Sequence, residues 1–138
     1  MIDCISIIQS VDQLGAELLP DSDHIRIKKG KYLPDSITAS IVDHKREILA
    51  ILERDNQAKQ AGFMIAITGE LYTNTLSNIS SVYIERIENG WEAWRETYYP
   101  HQRKAIRSKS IATGNTFDFV LLKVKQYLDY IIKKWQKT

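Results

Sequence analysis

The sequence predicts an α+β protein built from two small units: an N-terminal α-β-β-α-α unit over residues 1–60 and a small antiparallel sheet covered by a C-terminal helix over residues 63–138. Three observations carry this. Leu33, Ile37, Ile41, His44, Ile48 and Leu52 recur at intervals of three and four, which places them on one helical face. Two β-rich runs, Ser81–Ile87 and Trp91–Tyr99, flank Glu88-Asn89-Gly90, and Asn-Gly between such runs is a strong hairpin signal. Finally, Phe117–Trp135 alternates apolar and charged residues with the helical period. Strands followed by one covering helix make a two-layer arrangement.

In chain order, Cys4, Ile7, Ile8, Val11 and Leu14 have helical spacing, and Gly15 is placed to end that helix in a left-handed conformation. Ala16–Leu19 reads as a short strand and Pro20-Asp21-Ser22-Asp23 as a turn cluster. In His24–Lys28, Ile25 and Ile27 alternate with Arg26 and Lys28. Pro34 is tolerated in a first helical turn, and Asp35 suits the positive end of the helix it opens. That helix is expected to run to about Asn56 with a bend near Asp43-His44, and Gly62 to close the unit.

Beyond Gly62, Phe63–Thr68 is expected to be a strand and the Thr-, Asn- and Ser-rich stretch 69–80 a loop. Lys104–Ile111 is expected to form a further strand, and Thr113-Gly114-Asn115-Thr116 a loop and helix cap. Phe117, Val120, Val124, Tyr127, Ile131 and Trp135 should face the sheet, with Lys123, Lys133 and Lys134 solvated.

The 138 residues are 43% hydrophobic and 26% charged, the balance of a folded protein rather than a disordered one. Apolar runs are short and interrupted, so no membrane span is expected. The first residues, MIDCISIIQS, are not basic and run straight into an amphipathic pattern, so a signal peptide is not expected, and the single Cys4 has no partner for an internal disulfide. A cytoplasmic protein is expected. Net charge is +2, but residues 1–80 carry 8 Lys/Arg against 11 Asp/Glu, and residues 81–138 carry 11 against 6. The stretch 101–117 holds Arg103, Lys104, Arg107 and Lys109 with no acid, which reads either as a solvated face or as a nucleic-acid surface.

The order helix, hairpin, helix, helix, together with Leu14-Gly15, the apolar positions Leu33, Ile37 and Ile41, and the run His44-Lys45-x-Glu47-Ile48-Leu49 with Leu52, resembles the TubC-type N-terminal docking domain of hybrid peptide-synthetase and polyketide assembly lines. The resemblance spans about residues 2–55. Pro34 comes one place earlier than the family proline, so the helix start can differ while the core register holds. In that family the hairpin and adjoining helix bind a short segment at another protein's C-terminus, and the domain can form a homodimer. The resemblance implies a non-catalytic adaptor that docks onto a larger protein partner through Arg26, Lys28 and Lys31. A basic hairpin edge can add an acidic peptide as a further strand. The competing reading is that these cations only protect a strand edge from aggregation.

The second half carries no family motif. Its signal is aromatic content beside basic charge: Trp91, Arg95 and Tyr99 point one way along a strand, Trp94 and Tyr98 the other. One set should cover the helix. The other could stack unpaired bases, with Arg103, Lys104, Arg107 and Lys109 on the phosphates; alternatively both sets pack in a core. The alternative function is therefore a single-stranded nucleic-acid-binding accessory subunit, for example a polymerase or primase helper of a mobile element. The reason is that no condensation or adenylation domain follows the docking-like part in this sequence. An inhibitor that occupies another machine's nucleic-acid channel is a third reading.

No glycine-rich phosphate loop, nucleophile elbow or metal-hydrolase motif occurs, and no catalysis or cofactor is expected. His44 and Glu47 lie three apart on a helix, a spacing compatible with shared metal ligation. Only His24 and His101 remain as histidines and Cys4 stands alone, so the expectation is no metal site, with His44 a core residue bonded to a backbone carbonyl or to Glu47.

Overall fold

A computed structural model describes residues 3–99 and 107–136, excluding the side chain at position 107. Among these residues the chain is α+β, with four helices and two antiparallel sheets. It divides into two compact units, Met1–Gln57 and Ala58–Thr138. No helix among the described residues is long and apolar enough to cross a membrane.

The first unit begins with α1 (Cys4–Gln13), where the Asp3 side chain accepts a hydrogen bond from Ile5 N–H at 3.3 Å. This satisfies one of the amide donors that a helix start leaves unpaired. Gly15 has φ +82°, so the chain leaves α1 through the left-handed conformation its sequence position suggests. The hairpin follows as β1 (Glu17–Asp21) and β2 (His24–Lys28), turning at Ser22-Asp23. The strand lies one to two residues later than expected, so Pro20 and Asp21 are strand residues rather than turn residues. Helix α2 (Asp35–Asp43) starts after Pro34 and stops at His44, and α3 (Lys45–Gln60) continues.

The break at His44 keeps the apolar stripe on one core. Ile41, Ile48 and Leu52 are buried, and Leu33 and Ile37 pack partly buried against the same cluster with Cys4, Ile7, Val11 and Leu18. Leu14 ends up 53% exposed, because it lies beyond the last turn of α1, where the helical period no longer governs direction.

The second unit is a five-stranded antiparallel meander with neighbour order β3-β4-β5-β6-β7 and one helix on a single face. The strands are β3 (Met64–Ile67), β4 (Leu71–Ser77), β5 (Ser80–Ile87), β6 (Gly90–Thr97) and β7 (Arg107–Gly114), followed by α4 (Phe117–Gln136). Two expectations are corrected here. Residues 71–77 form a strand and not a loop, because pairing with β5 supplies backbone partners that outweigh a turn-like composition. Thr113 and Gly114 belong to β7, paired with Glu92 and Trp91, so the cap begins later: the Thr116 hydroxyl oxygen accepts from Phe119 N–H at 3.2 Å.

Along β5, Ser80, Val82 and Ile84 are buried while Ser81, Tyr83 and Glu85 are half-buried, the alternation of a sheet covered on one side. The covered face meets Phe117, Val120, Leu121, Val124 and Leu128 of α4. Trp135 was expected on this face but is 43% exposed, and Tyr127 is only half-buried. Gly90 lies where β6 starts beside the end of β7. A Cβ there would run into the backbone oxygen of Gly114, so this hairpin end admits only glycine without a backbone shift.

Candidate binding surfaces and a thiol cluster

The hairpin of the first unit is a two-stranded sheet, so among the described residues the outer edge of β2 has no strand partner. The register pairs Leu18 with Ile27 and Pro20 with Ile25 on one face. That leaves Arg26 and Lys28 exposed on the other, opposite Leu19 and Glu17. Lys31 is also exposed, and its ammonium lies 5.5 Å from the centre of the Tyr32 ring, itself 84% exposed. The three residues expected to dock a partner are thus solvent-facing, and Ile25 and Ile27, which alternate with Arg26 and Lys28, are half-buried.

In the second unit the two sets of aromatics on β6 separate as the strand period requires. Trp91 is 6% exposed and packs edge-on against Phe117 (5.0 Å between ring centres) and beside Tyr72 (6.4 Å). It is a core residue, which corrects its assignment as a base-stacking ring: α4 covers the face to which it points. Trp94 lies on the opposite face, stacked on Tyr83 at 5.2 Å. Its indole N–H donates to Glu96, as does the Tyr98 hydroxyl. That bond, ahead of burial, pushes the Tyr98 hydroxyl up to about 12. This aromatic face carries Glu96, and Glu92 and Glu85 share its strand parity, so its charge opposes phosphate binding.

The cationic residues gather elsewhere. Arg95, Thr97 and Tyr99 of β6 and its extension, Lys109 of β7, and Tyr127, Tyr130, Ile131 and Lys134 of α4 line a cleft of about 530 Å³. Arg95 is held in place: its Nε donates to the Ser80 hydroxyl at 2.6 Å and its Nη1 to the Tyr127 hydroxyl at 3.1 Å. Its guanidinium also lies over the Trp135 ring at 5.8 Å, and the Lys109 ammonium over the Tyr127 ring at 5.3 Å. Among the described residues, three cations and three phenol rings line this cleft and no carboxylate does. Of the residues expected to meet nucleic acid, Arg95, Tyr99 and Lys109 come together here. Arg107 contributes its backbone to β7, paired with Thr97, while Arg103 and Lys104 lie outside the described residues. Sequence reasoning missed Tyr130 and Lys134, although with Tyr127 they follow the i, i+3, i+7 spacing of one helical face.

A third grouping joins residues distant in sequence. Cys4 at the start of α1, His44 at the end of α2 and Glu47 in the first turn of α3 place their ligating atoms within 4.8 Å of one another. The Cys4 thiol donates to Glu47 Oε2 at 3.0 Å. The premise that Cys4 stands alone is thereby corrected: folding α1 against α2 and α3 closes a separation of 43 residues that no local pattern shows. His44 is half-buried, Cys4 buried and Glu47 exposed.

Burial, and then the bond to Glu47, push the Cys4 thiol up from an ordinary 9.0 to about 11. Thiol alkylation at pH 8 is therefore expected to be orders of magnitude slower than for a free cysteine, and Glu47→Gln to speed it several-fold. Because the folded thiol keeps its proton to higher pH than the unfolded one, its contribution to stability is intact below about pH 9 and is lost as the pH climbs toward about 11. Denaturant titrations from pH 7 to 11 check the sign: wild type should lose stability over this range more steeply than Cys4→Ser.

Compared with known proteins, the chain matches no family model, no curated protein sequence and no solved structure.

Proposed function

We propose that this protein is a non-catalytic adaptor whose N-terminal unit captures an acidic, extended segment of a larger protein partner along the outer edge of β2. The observation that carries the reading is the edge of a five-residue strand, unpaired among the described residues, with Arg26 and Lys28 exposed and Ile25 and Ile27 half-buried beneath. An added strand gains backbone hydrogen bonds from the edge, and alternate cationic side chains select carboxylates. The resemblance of residues 2–55 to docking domains supports the same surface, and Lys31 continues its charge.

A second reading, single-stranded nucleic-acid binding by the C-terminal unit, is supported by the cleft of Arg95, Lys109 and Lys134 with Tyr99 and Tyr130 at its walls. Phosphates would meet the cations and bases the phenol rings. It places recognition beside α4 and not on the Trp94 face.

Anisotropy titrations with two labelled probes test both readings: a peptide alternating Glu with Ile, and a short oligo-dT. Adaptor function predicts peptide binding that weakens at least tenfold, roughly 1.4 kcal/mol, in an Arg26→Glu, Lys28→Glu double variant. Peptide binding indifferent to that reversal, or none at millimolar peptide, would sink it. Nucleic-acid binding predicts oligo-dT affinity that falls steeply with salt and is abolished by Arg95→Glu with Lys109→Glu. Loss of oligo-dT binding on reversing the hairpin instead would disqualify the cleft.

A further inference from the structure

We propose that Cys4, His44 and Glu47 form a binding site for a thiophilic divalent transition-metal ion of the zinc class. The site is independent of the docking and nucleic-acid readings. Its three donors are sulfur, imidazole nitrogen and carboxylate oxygen, a set that suits Zn²⁺ or Co²⁺ and disfavours Mg²⁺ and Ca²⁺, which prefer all-oxygen coordination.

The geometry is close to what such an ion needs. In a tetrahedral zinc site, with bonds of roughly 2.0 to 2.3 Å, neighbouring ligand atoms lie roughly 3.3–3.6 Å apart. Here the sulfur and carboxylate oxygen are at 3.0 Å, and all three ligating atoms fall within 4.8 Å of one another. The sulfur–oxygen edge must open by about half an ångström, less than the reach of a side-chain rotation.

The backbone positions are set by packing. Each ligand sits at the end of a different helix, and those helices are pinned through Ile7, Ile41 and Ile48, all buried. Cys4 lies on the inner side and Glu47 on the solvent side, so an ion would enter from the surface and keep a fourth position for water. As the metal–sulfur bond forms, the thiol proton passes to solvent. Glu47 then exchanges its hydrogen bond from the thiol for a bond to the ion, and no oxidation state changes.

The purified full chain, stripped with chelator, would be titrated with Co²⁺ alone and then with Zn²⁺. The expected result is one Co²⁺ per chain, with a sulfur-to-cobalt charge-transfer band in the near ultraviolet that Zn²⁺ displaces. Cys4→Ser should abolish the band, and His44→Gln and Glu47→Gln should each weaken Co²⁺ binding at least ~10-fold, the range over which even outer partners of a metal site act. His44 and Glu47 are not core residues, so these two variants remain informative if Cys4→Ser, checked by circular dichroism, fails to fold. No charge-transfer band at excess Co²⁺ overturns the proposal. So does a band whose affinity is unchanged in both His44→Gln and Glu47→Gln.

Discussion

Trp91→Ala is expected to destabilise the C-terminal unit by about 3–5 kcal/mol, the cost typical of emptying a large aromatic site in a core. Trp91 is 6% exposed and meets Phe117 edge-on and Tyr72 side by side, so the change removes both its buried area and two ring contacts. Tyr72, Val82 and Val120 are fully buried around the same core and cannot collapse into the space without moving β4, β5 or α4. Trp94→Ala should cost far less, about 1 kcal/mol, because it gives up mainly its stack on Tyr83 at a half-buried face. Urea unfolding of the two variants against wild type checks the contrast. Equal losses, or a larger one for Trp94, would mean that the two faces of β6 have been assigned the wrong way round. A binding defect in Trp91→Ala then reports on folding and says nothing about recognition.

Ile48→Ala is expected to cost the N-terminal unit about 2–5 kcal/mol, and Ile48→Val about 0.5–1.5 kcal/mol. Ile48 has no exposed surface and sits where α3 meets Ile7 and Val11 of α1 and Ile41 of α2. It follows His44 by one helical turn, and its N–H donates to the His44 carbonyl at 3.0 Å, closing the first turn of α3. A void there loosens all three helices together. Val42→Ala, 69% exposed one place beyond Ile41, should shift stability by no more than about 0.5 kcal/mol. Denaturation midpoints for the three variants check the ranking. If Val42→Ala proved as costly as Ile48→Ala, the register of α2 and α3 on the core would be refuted.

Much of the fold is legible in local sequence. The stripe from Leu33 to Leu52 has the helical period, Gly15 marks a left-handed exit and Glu88-Asn89-Gly90 a hairpin, and the structure has each of these. These features are local, set by side-chain period and backbone freedom over a few residues. The strand at 71–77 was not readable, because Thr, Asn and Ser favour turns in isolation and become strand residues only when a neighbour takes up their backbone groups. The candidate surfaces divided in the same way. Exposure of Arg26 and Lys28 follows from alternation along β2, whereas the company of Arg95 and Lys109 with Tyr130 and Lys134 depends on where α4 lies across β6 and β7.

The sequence by itself determined that this is an α+β chain with a helical stripe and an Asn-Gly hairpin, since period and turn chemistry act over neighbouring residues. Only the tertiary structure decided which ring of β6 is core, and that Cys4 meets Glu47 across 43 residues. With aromatic rings on both faces of β6, alternation says that two rings face opposite ways and not which way is covered. A contact between distant residues exists only once packing has fixed the helices that carry them.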